Sequence, residues 1–522
     1  MKNIVYIEKV DNTYFKLTSN DENSIRRIGK KFSFFAENYK HMPKYQQHVW
    51  DGKISLLNGF SKLFPIGLWK HLFDFCEEMR YIFTPLNFDI NDLIDVNLNK
   101  SDINAMCKII CEKNGKELRD YQVDAIFNAL KYKRATIESA TGSGKSFMIY
   151  TVLKHMLITN NASKILLIVP TVDLVKQMHC DLCSYKWKNN VNEIFTLYSN
   201  TPPKMKKEYN NFKGKVLIST WQSLNTRKDF FFKQFDGVVC DEAHLAKSKS
   251  INTIMSKINA PYKLSFTGSM PDNNIEQALA YHTIVGFSGP VVFQYLSKKL
   301  INEGHLADLS ITNVLLKYPY EFKQKNQKRQ YDEEIDAIEM FEDRDKIFPY
   351  IIKHHVENNI TSNSNFLILC KHVNNGHIER ISNHVQKTLP NFNVFTVHGK
   401  IKSKERDKAK QHMKTNNGNC VIVATYATFS TGIDIPNLGN VIFGSPYKSK
   451  FKIIQGIGRG LRVHKTKENC CLYDIVDDLS DTQGTGRIVN KNHAYKHFEA
   501  RKLLYDKQQF EYNDIIFNLT SD

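Results

Sequence analysis

The chain has 522 residues, 42% of them hydrophobic and 24% charged, with 33 Phe and 24 Tyr. It is too long for a single core, and its composition excludes a disordered or low-complexity chain. No apolar run approaches the about 18 to 20 residues of a membrane span, and the start, MKNIVYIEKV, lacks a signal-peptide core. A cytoplasmic protein with no membrane partner is therefore expected. The formal charge of +18 suggests a polyanionic partner, unless the lysines only solvate the surface. Ten cysteines are sparse for this length, and Cys180-x-x-Cys183 has no second pair at zinc-site spacing, so reduced thiols are expected.

In chain order, residues 1–115 show no regular alternation of strand and helix patterns and are expected to form a small α+β module. From residue 116 the pattern changes. Short apolar runs at 135–137, 165–169, 216–218, 238–240 and 262–266 alternate with longer helical stretches. A second series follows at 366–370, 394–397, 421–424, 441–443 and 472–476. Runs without polar alternation predict strands of parallel sheets covered on both faces. Two α/β domains are thus expected, over 116–300 and 301–485, with most of the positive excess in the first. The charged stretch 317–345 is expected to be partly helical, and 486–522 to form an amphipathic helical tail.

The segment Ser139-Ala140-Thr141-Gly142-Ser143-Gly144-Lys145-Ser146 follows a predicted strand and opens a predicted helix. Glycines there let backbone N–H groups wrap phosphates at a positive helix end. Lys145 would reach the terminal phosphates and the Ser146 hydroxyl would ligate Mg²⁺. Ser139 stands where the phosphate-loop pattern has its first glycine. Asp241-Glu242-Ala243-His244 comes directly after another apolar run, at the carboxyl end of a strand. Asp241 suits Mg²⁺ and Glu242 suits polarising a water, although a helix cap with an acidic first turn would use the same letters. Gln455-Gly-Ile-Gly-Arg459-Gly-Leu-Arg462 places two arginines three apart, fit to meet charge developing on a γ-phosphate.

Together these segments resemble the motifs of superfamily 2 helicases, and the resemblance covers nearly the whole chain. It implies two RecA-like parallel-sheet domains in tandem, ATP and Mg²⁺ as cofactors, and a nucleic-acid partner. Arg119, Tyr121 and Gln122 resemble the adenine-reading motif, while Thr141, Gly142, Ser143, Gly144, Lys145 and Ser146 are the phosphate loop. Pro170 and Thr171, then Thr220 and Trp221, resemble strand-contacting motifs of the first domain. His244, Thr267 and Ser269 occupy coupling positions, with Thr267-Gly268-Ser269 departing from the usual Ser-Ala-Thr. In the second domain His398 and Thr425 resemble strand contacts, Gly432 and Asp434 a nucleotide-sensing motif, and Gln455, Arg459 and Arg462 the arginine-finger motif.

A narrower resemblance lies in the leader. Phe32-Ser-Phe-Phe35, Trp50-Asp-Gly-Lys-Ile-Ser-Leu-Leu57 and Leu63-Phe-Pro-Ile-Gly-Leu68 are similar to the leader of UvsW-type phage helicases. That likeness implies action on branched DNA, single strands and R-loops in recombination, fork rescue and replication, with RNA met in RNA–DNA hybrids, inside a bacterial host cytoplasm. It also implies a nucleic-acid role for the leader, with Trp50 either a stacking ring or a core tryptophan. Three other readings share the same ATPase motifs: a duplex translocase that does not separate strands, an RNA helicase, and an ATP-gated clamp without turnover. A nuclease-coupled motor finds no acid–x–lysine cluster to support it.

Overall fold

The computed structural model describes residues 2–519 except 160–161, 186–192, 246–247, 276, 372–375, 400, 402–404, 406–407, 410, 414–417, 427, 429–436, 448–468 and 483–487. The chain divides into two compact units, Met1–Ala140 with Gly144–Tyr295, and Thr141–Ser143 with Leu296–Asp522.

The leader contributes strands β1 (Ile4–Lys9), β2 (Tyr14–Ser19), β3 (Ser33–Phe35), β4 (Lys53–Ser55), β5 (Leu63–Pro65) and β6 (Ile82–Pro85). Four of them form a sheet in the order β5-β2-β1-β6, and β3 pairs with β4 apart from it. In β1 and β2 every second residue is apolar, and Val5, Ile7, Phe15 and Leu17 are fully buried. That period of two gives the sheet one core face. Helix Glu22–Lys31 follows, started by Asp21, whose carboxylate accepts from the Asn23 N–H, and buries Ile25 and Ile28.

The next seven strands are β7 (Arg134–Ser139), β8 (Ile165–Val169), β9 (Ile194–Leu197), β10 (Val216–Thr220), β11 (Gly237–Asp241), β12 (Tyr262–Thr267) and β13 (Val291–Tyr295). All run parallel, in the order β13-β7-β12-β11-β8-β10-β9. β8 shows why an unbroken apolar run was needed. Leu166 and Ile168 enter one core, while Ile165, Leu167 and Val169 enter the core on the opposite face.

The leader is less separate than its sequence suggests. Its buried residues, Phe15, Phe32, Phe64 and Leu68 among them, join the same apolar cluster as Leu166, Trp221, Ile284 and Phe287 of the first α/β sheet and its helices. Phe34 stacks on His282, with ring centroids 4.1 Å apart. Moreover, helix Lys100–Asn114 sends Ile103, Cys107 and Ile110 into the other α/β core, so the last stretch of the expected leader packs with the α/β layer.

Gly67 marks the tightest approach between leader and sheet layer. A Cβ there would stand 2.1 Å from the Val285 carbonyl oxygen and 2.7 Å from that of Gly286. Both obstacles are backbone and cannot rotate away. Gly67→Ala is therefore expected to cost about 2 kcal/mol and to lower the unfolding midpoint by roughly 5 °C in scanning fluorimetry. An unchanged midpoint would mean that the leader can lift from the sheet layer without loss.

The second unit carries β14 (Asp308–Lys317), β15 (Asn365–Cys370), β16 (Asn393–Val397), β17 (Cys420–Thr425), β18 (Asn440–Phe443), β19 (Asn469–Asp478), β20 (Asp481–Thr482), β21 (Ile488–Val489) and β22 (Tyr512–Asn518). Seven of these form a second parallel sheet, β16-β17-β15-β18-β19-β14-β22. The stretch 317–345 holds helices Tyr320–Asn326, Tyr331–Glu339 and Glu342–Asp345. The tail differs from a purely helical one. Helix His493–Lys507 is followed by β22, which adds to the sheet beside β14. Buried acids hold that helix: Glu334 accepts from the His493 and Ala494 N–H groups, and Asp474 accepts from Arg501 Nε at 2.8 Å and Tyr505 Oη at 2.9 Å. Among the described residues no helix is long and apolar enough to cross a membrane.

Candidate active site

Three adjacent strand ends build the site in the first unit. β7, β12 and β11 are neighbours, and each ends in one of the sequence motifs. Ser139 is the last residue of β7 and pairs with Tyr295 of β13. Its place in a strand explains why glycine is not required at the loop's first position. Glycine is required two and four residues past Ala140, where Gly142 and Gly144 have φ of 87° and 82°. A Cβ on Gly144 would also lie 2.4 Å from Gln122 Nε2.

Lys145 opens helix Lys145–Ile158. Its ammonium donates to the Ser139 carbonyl at 3.1 Å and lies 3.4 Å from Glu242 Oε1. Glu242 follows β11 with φ of 48°, a left-handed conformation that costs a non-glycine residue about 1 kcal/mol or more. The strain is held by the Glu242 N–H, which donates to the Phe266 carbonyl of β12 at 2.8 Å. It turns the carboxylate toward Lys145 and toward the Gly268 N–H, which donates to Oε2 at 3.0 Å.

His244 extends the set. Its Nδ1 lies 2.5 Å from Thr267 Oγ1 and 3.3 Å from Glu242 Oε2. Since the Thr267 hydroxyl donates to the Ser269 carbonyl at 3.0 Å, it accepts from His244, which assigns the proton to Nδ1. Lys145, Glu242, His244, Thr267 and Gly268 thus form one continuous polar chain across the ends of β11 and β12.

The two acids are driven apart. Burial, and next the neighbouring Glu242 charge, raise the pKa of Asp241 to about 7. Burial pushes Glu242 the same way, yet Lys145, His244 and the Gly268 N–H outweigh it and hold this carboxyl below its usual range. Oδ1 of Asp241 is buried without a hydrogen-bond partner. An orphaned carboxylate oxygen fits a divalent cation, and Ser146, at the first turn of the following helix, offers a hydroxyl of the right kind. Among the described residues no cluster of three acids, histidines or cysteines forms a metal cage.

Gln122 is nearly buried, and its Oε1 accepts from the Arg119 N–H at 2.9 Å. Arg119 Nη1 donates to Tyr121 Oη at 3.0 Å, and Tyr121 stacks on Tyr295 with centroids 4.3 Å apart. Glu138, inside β7, joins these ends from below. It accepts from the Met270 N–H at 2.9 Å and from Gln294 Nε2 at 2.8 Å. No motif singles out Glu138; its only signal is an acid placed directly after the run 135–137 and before the phosphate loop.

Strand-contact candidates sit at helix starts rather than on open surface. Thr171 follows Pro170 at the end of β8 and caps helix Val172–Ser184 through the Leu174 N–H. Thr220 caps helix Trp221–Asn225 through the Ser223 N–H. Trp221, only 4% exposed, packs its side chain into the apolar cluster shared with the leader. In the second unit His398 lies 3.6 Å from Glu379, and Thr425 bonds Thr428 at the end of β17. Gly432, Asp434, Gln455, Arg459 and Arg462 lie outside the described residues.

Three family models match the chain: "DNA helicase UvsW, N-terminal" over residues 5–85, "Type III restriction enzyme, res subunit" over 115–272, and "Helicase conserved C-terminal domain" over 345–464. The ATP-dependent DNA helicase UvsW of Enterobacteria phage T4 is 30% identical over 504 residues, spanning 94% of this chain and 95% of that one. The chain belongs to the UvsW family of helicases. The crystal structure of T4 UvsW aligns with a TM-score of 0.50 at 27% identity, over 99% of this chain and 100% of that one. A more distant relative, the DNA 3'-5' translocase XPB2 of Sulfurisphaera tokodaii, is 24% identical over 402 residues, 72% of this chain and 83% of its own length. Membership in the UvsW family gives the two seven-stranded sheets their description as tandem RecA-like domains.

Proposed function

We propose that this UvsW-family helicase uses ATP hydrolysis to move on DNA and to unwind branched DNA and R-loops. The observation that carries the reading is the polar chain from Lys145 through Glu242 to His244 and Thr267. It links the residue that would hold phosphate to one that could activate water, and both to a neighbouring strand end. Lys145 is released from Glu242 as it takes up the terminal phosphates, and Glu242 becomes free to accept a proton from water. Gln122 lies against the phosphate loop at Gly144, where adenine reading and phosphate binding would be felt together. Asp241 Oδ1 and the Ser146 hydroxyl would hold Mg²⁺, which supplies charge neutralisation on the phosphates when bound. Gln455, Arg459, Arg462, Gly432 and Asp434 are proposed to complete nucleotide handling from the second domain.

Strand binding is proposed for the helix starts at Thr171 and Thr220 and for the segments of His398 and Thr425, through phosphates and without sequence preference. A leader face supports a further contact. Phe35 and Tyr39 stack at 4.3 Å, with Lys53 over Phe35 at 5.0 Å and Lys40 over Tyr39 at 5.9 Å. Half-buried Trp50 braces this face by donating its indole N–H to the Lys53 carbonyl at 2.8 Å. Aromatic rings flanked by lysines suit unstacked bases.

The deciding assay measures ATP hydrolysis with no nucleic acid, single-stranded DNA, duplex DNA, a four-way junction and RNA, using Lys145→Ala as the blank. Slow basal turnover, strongly raised by DNA and at least as much by the junction as by single strands, is expected, followed by junction unwinding. Stimulation by RNA alone would move the assignment to an RNA helicase. Stimulation by duplex without strand separation would make it a translocase, and absence of turnover would leave a clamp.

A further inference from the structure

A cavity of about 170 Å³ opens where the leader sheet meets the segments leading into β7 and β12. Lys9, at the end of β1, lines it together with Lys133 and Arg134, at the start of β7, and with Asn12, Asp92 and Leu93 of the leader. Three cations thus face one carboxylate. That carboxylate is on the exposed rim, and its Oδ2 accepts from the Asp89 N–H within its own turn.

Arg134 lacks the carboxylate partner that a buried charge normally has, and Lys9 and Lys133 stand half-buried beside it. Arg134 is only 7% exposed, and its guanidinium donates to main-chain carbonyls alone, Ala260 at 2.9 Å and Phe287 at 3.4 Å. No ion pair is formed by Lys9, Lys133 or Arg134 among the described residues. Close behind lies Lys263, fully buried, whose ammonium donates to Thr13 Oγ1 at 2.8 Å and to the Met255 carbonyl at 3.0 Å, again with no carboxylate. Burial lowers the pKa of Arg134 to about 9, and burial followed by the Arg134 charge lowers that of Lys9. Asp11 and Asp92 offset part of this positive charge electrostatically, yet among the described residues neither forms an ion pair with Lys9, Lys133 or Arg134.

We propose that this cavity is a phosphate-binding site, distinct from the ATP site, that ties the leader to the first RecA-like domain. Its volume is similar to cavities that admit a benzene-sized guest, enough for a phosphate or pyrophosphate group. A guanidinium and two ammonium groups from different strands match a tetrahedral oxyanion with several acceptor oxygens. The phosphate is either free, as inorganic phosphate or pyrophosphate, or part of a nucleic-acid backbone crossing the seam. The site does not depend on the motor reading, because none of its residues belongs to the nucleotide motifs.

The test uses full-length Lys145→Ala protein, in which phosphate binding at the ATP site is weakened, titrated with inorganic pyrophosphate by calorimetry and thermal unfolding. Saturable binding and a raised midpoint are expected. Lys9→Gln and Lys133→Asn should each weaken this binding about tenfold. Asparagine tolerates the φ of 53° at position 133. The same two substitutions in the otherwise natural chain should leave ADP affinity unchanged. Competition by a short single-stranded DNA, with a DNA-binding salt slope reduced by about one in the variants, would identify a backbone phosphate. Pyrophosphate binding indifferent to DNA would identify a free anion. No pyrophosphate binding, or variants that bind like their parent, would overturn the proposal.

Discussion

Glu242→Gln is expected to leave ATP binding intact and to slow DNA-stimulated hydrolysis about a thousandfold. The substitution is nearly isosteric, and its carbonyl can still accept from the Gly268 N–H, so the strained turn with φ of 48° is retained. What disappears is the charge that faces Lys145 at 3.4 Å and His244 at 3.3 Å. In the natural chain these neighbours keep Glu242 ionised beside Asp241, whose own pKa is raised to about 7. Glu242 is thus held as a carboxylate, while Asp241 is the acid of the pair that more readily carries a proton. Glutamine cannot accept a proton from water at position 242. Single-turnover hydrolysis and nucleotide affinity should be measured together. A variant that hydrolyses ATP at near the natural rate would remove Glu242 from catalysis and leave its turn a structural feature.

Arg344→Ala is expected to destabilise the second unit by about 3 to 5 kcal/mol, the usual effect of stripping one partner from a buried ion pair. Arg344 is fully buried and bidentate on Asp477, with Nε to Oδ1 at 2.7 Å and Nη2 to Oδ2 at 3.0 Å, and it also donates to the Gly444 carbonyl. Tyr318 Oη donates to the same Asp477 at 2.7 Å. Alanine would leave the carboxylate with one donor in place of three and open a cavity beside Phe348, over whose ring the guanidinium sits. Pairing Arg344→Met with Asp477→Leu should recover much of the loss, since no charge then stays buried alone. Thermal unfolding of the single and double variants gives the coupling directly. Equal midpoints for wild type and Arg344→Ala would show that the cluster contributes nothing to stability.

How much of this was legible beforehand differs from element to element. β8, β10, β11, β15 and β17 were readable because strands covered on both faces must be apolar at consecutive positions. β14 was not, although it lies inside the second sheet. Its Asp308, Ser310, Thr312 and Asn313 break the apolar run, and buried Asn313 donates through Nδ2 to Asp514 of β22, about two hundred residues away. β22 itself is mostly exposed and reads as part of an amphipathic helical tail until β14 is placed beside it. The short strands β9 and β13 are largely apolar, but runs of four or five residues do not by themselves distinguish a strand from a helix segment.

The nucleotide site follows the same division. Gly142 and Gly144 are demanded by local backbone geometry, and the acids at 241–242 by their place after an apolar strand, so the sequence alone determined the phosphate loop, the acidic pair and their order. Those are short-range requirements, written in neighbouring residues. Tertiary structure decided that Trp221 is a core residue, that Glu138 braces the strand ends, that the leader shares its core with the first sheet, and that Lys9 and Arg134 line one cavity. Each of these depends on which distant surfaces exclude water together. Burial places Trp221 in packing, and Lys9 and Arg134 come to share one cavity, only once chain segments over a hundred residues apart have closed upon them.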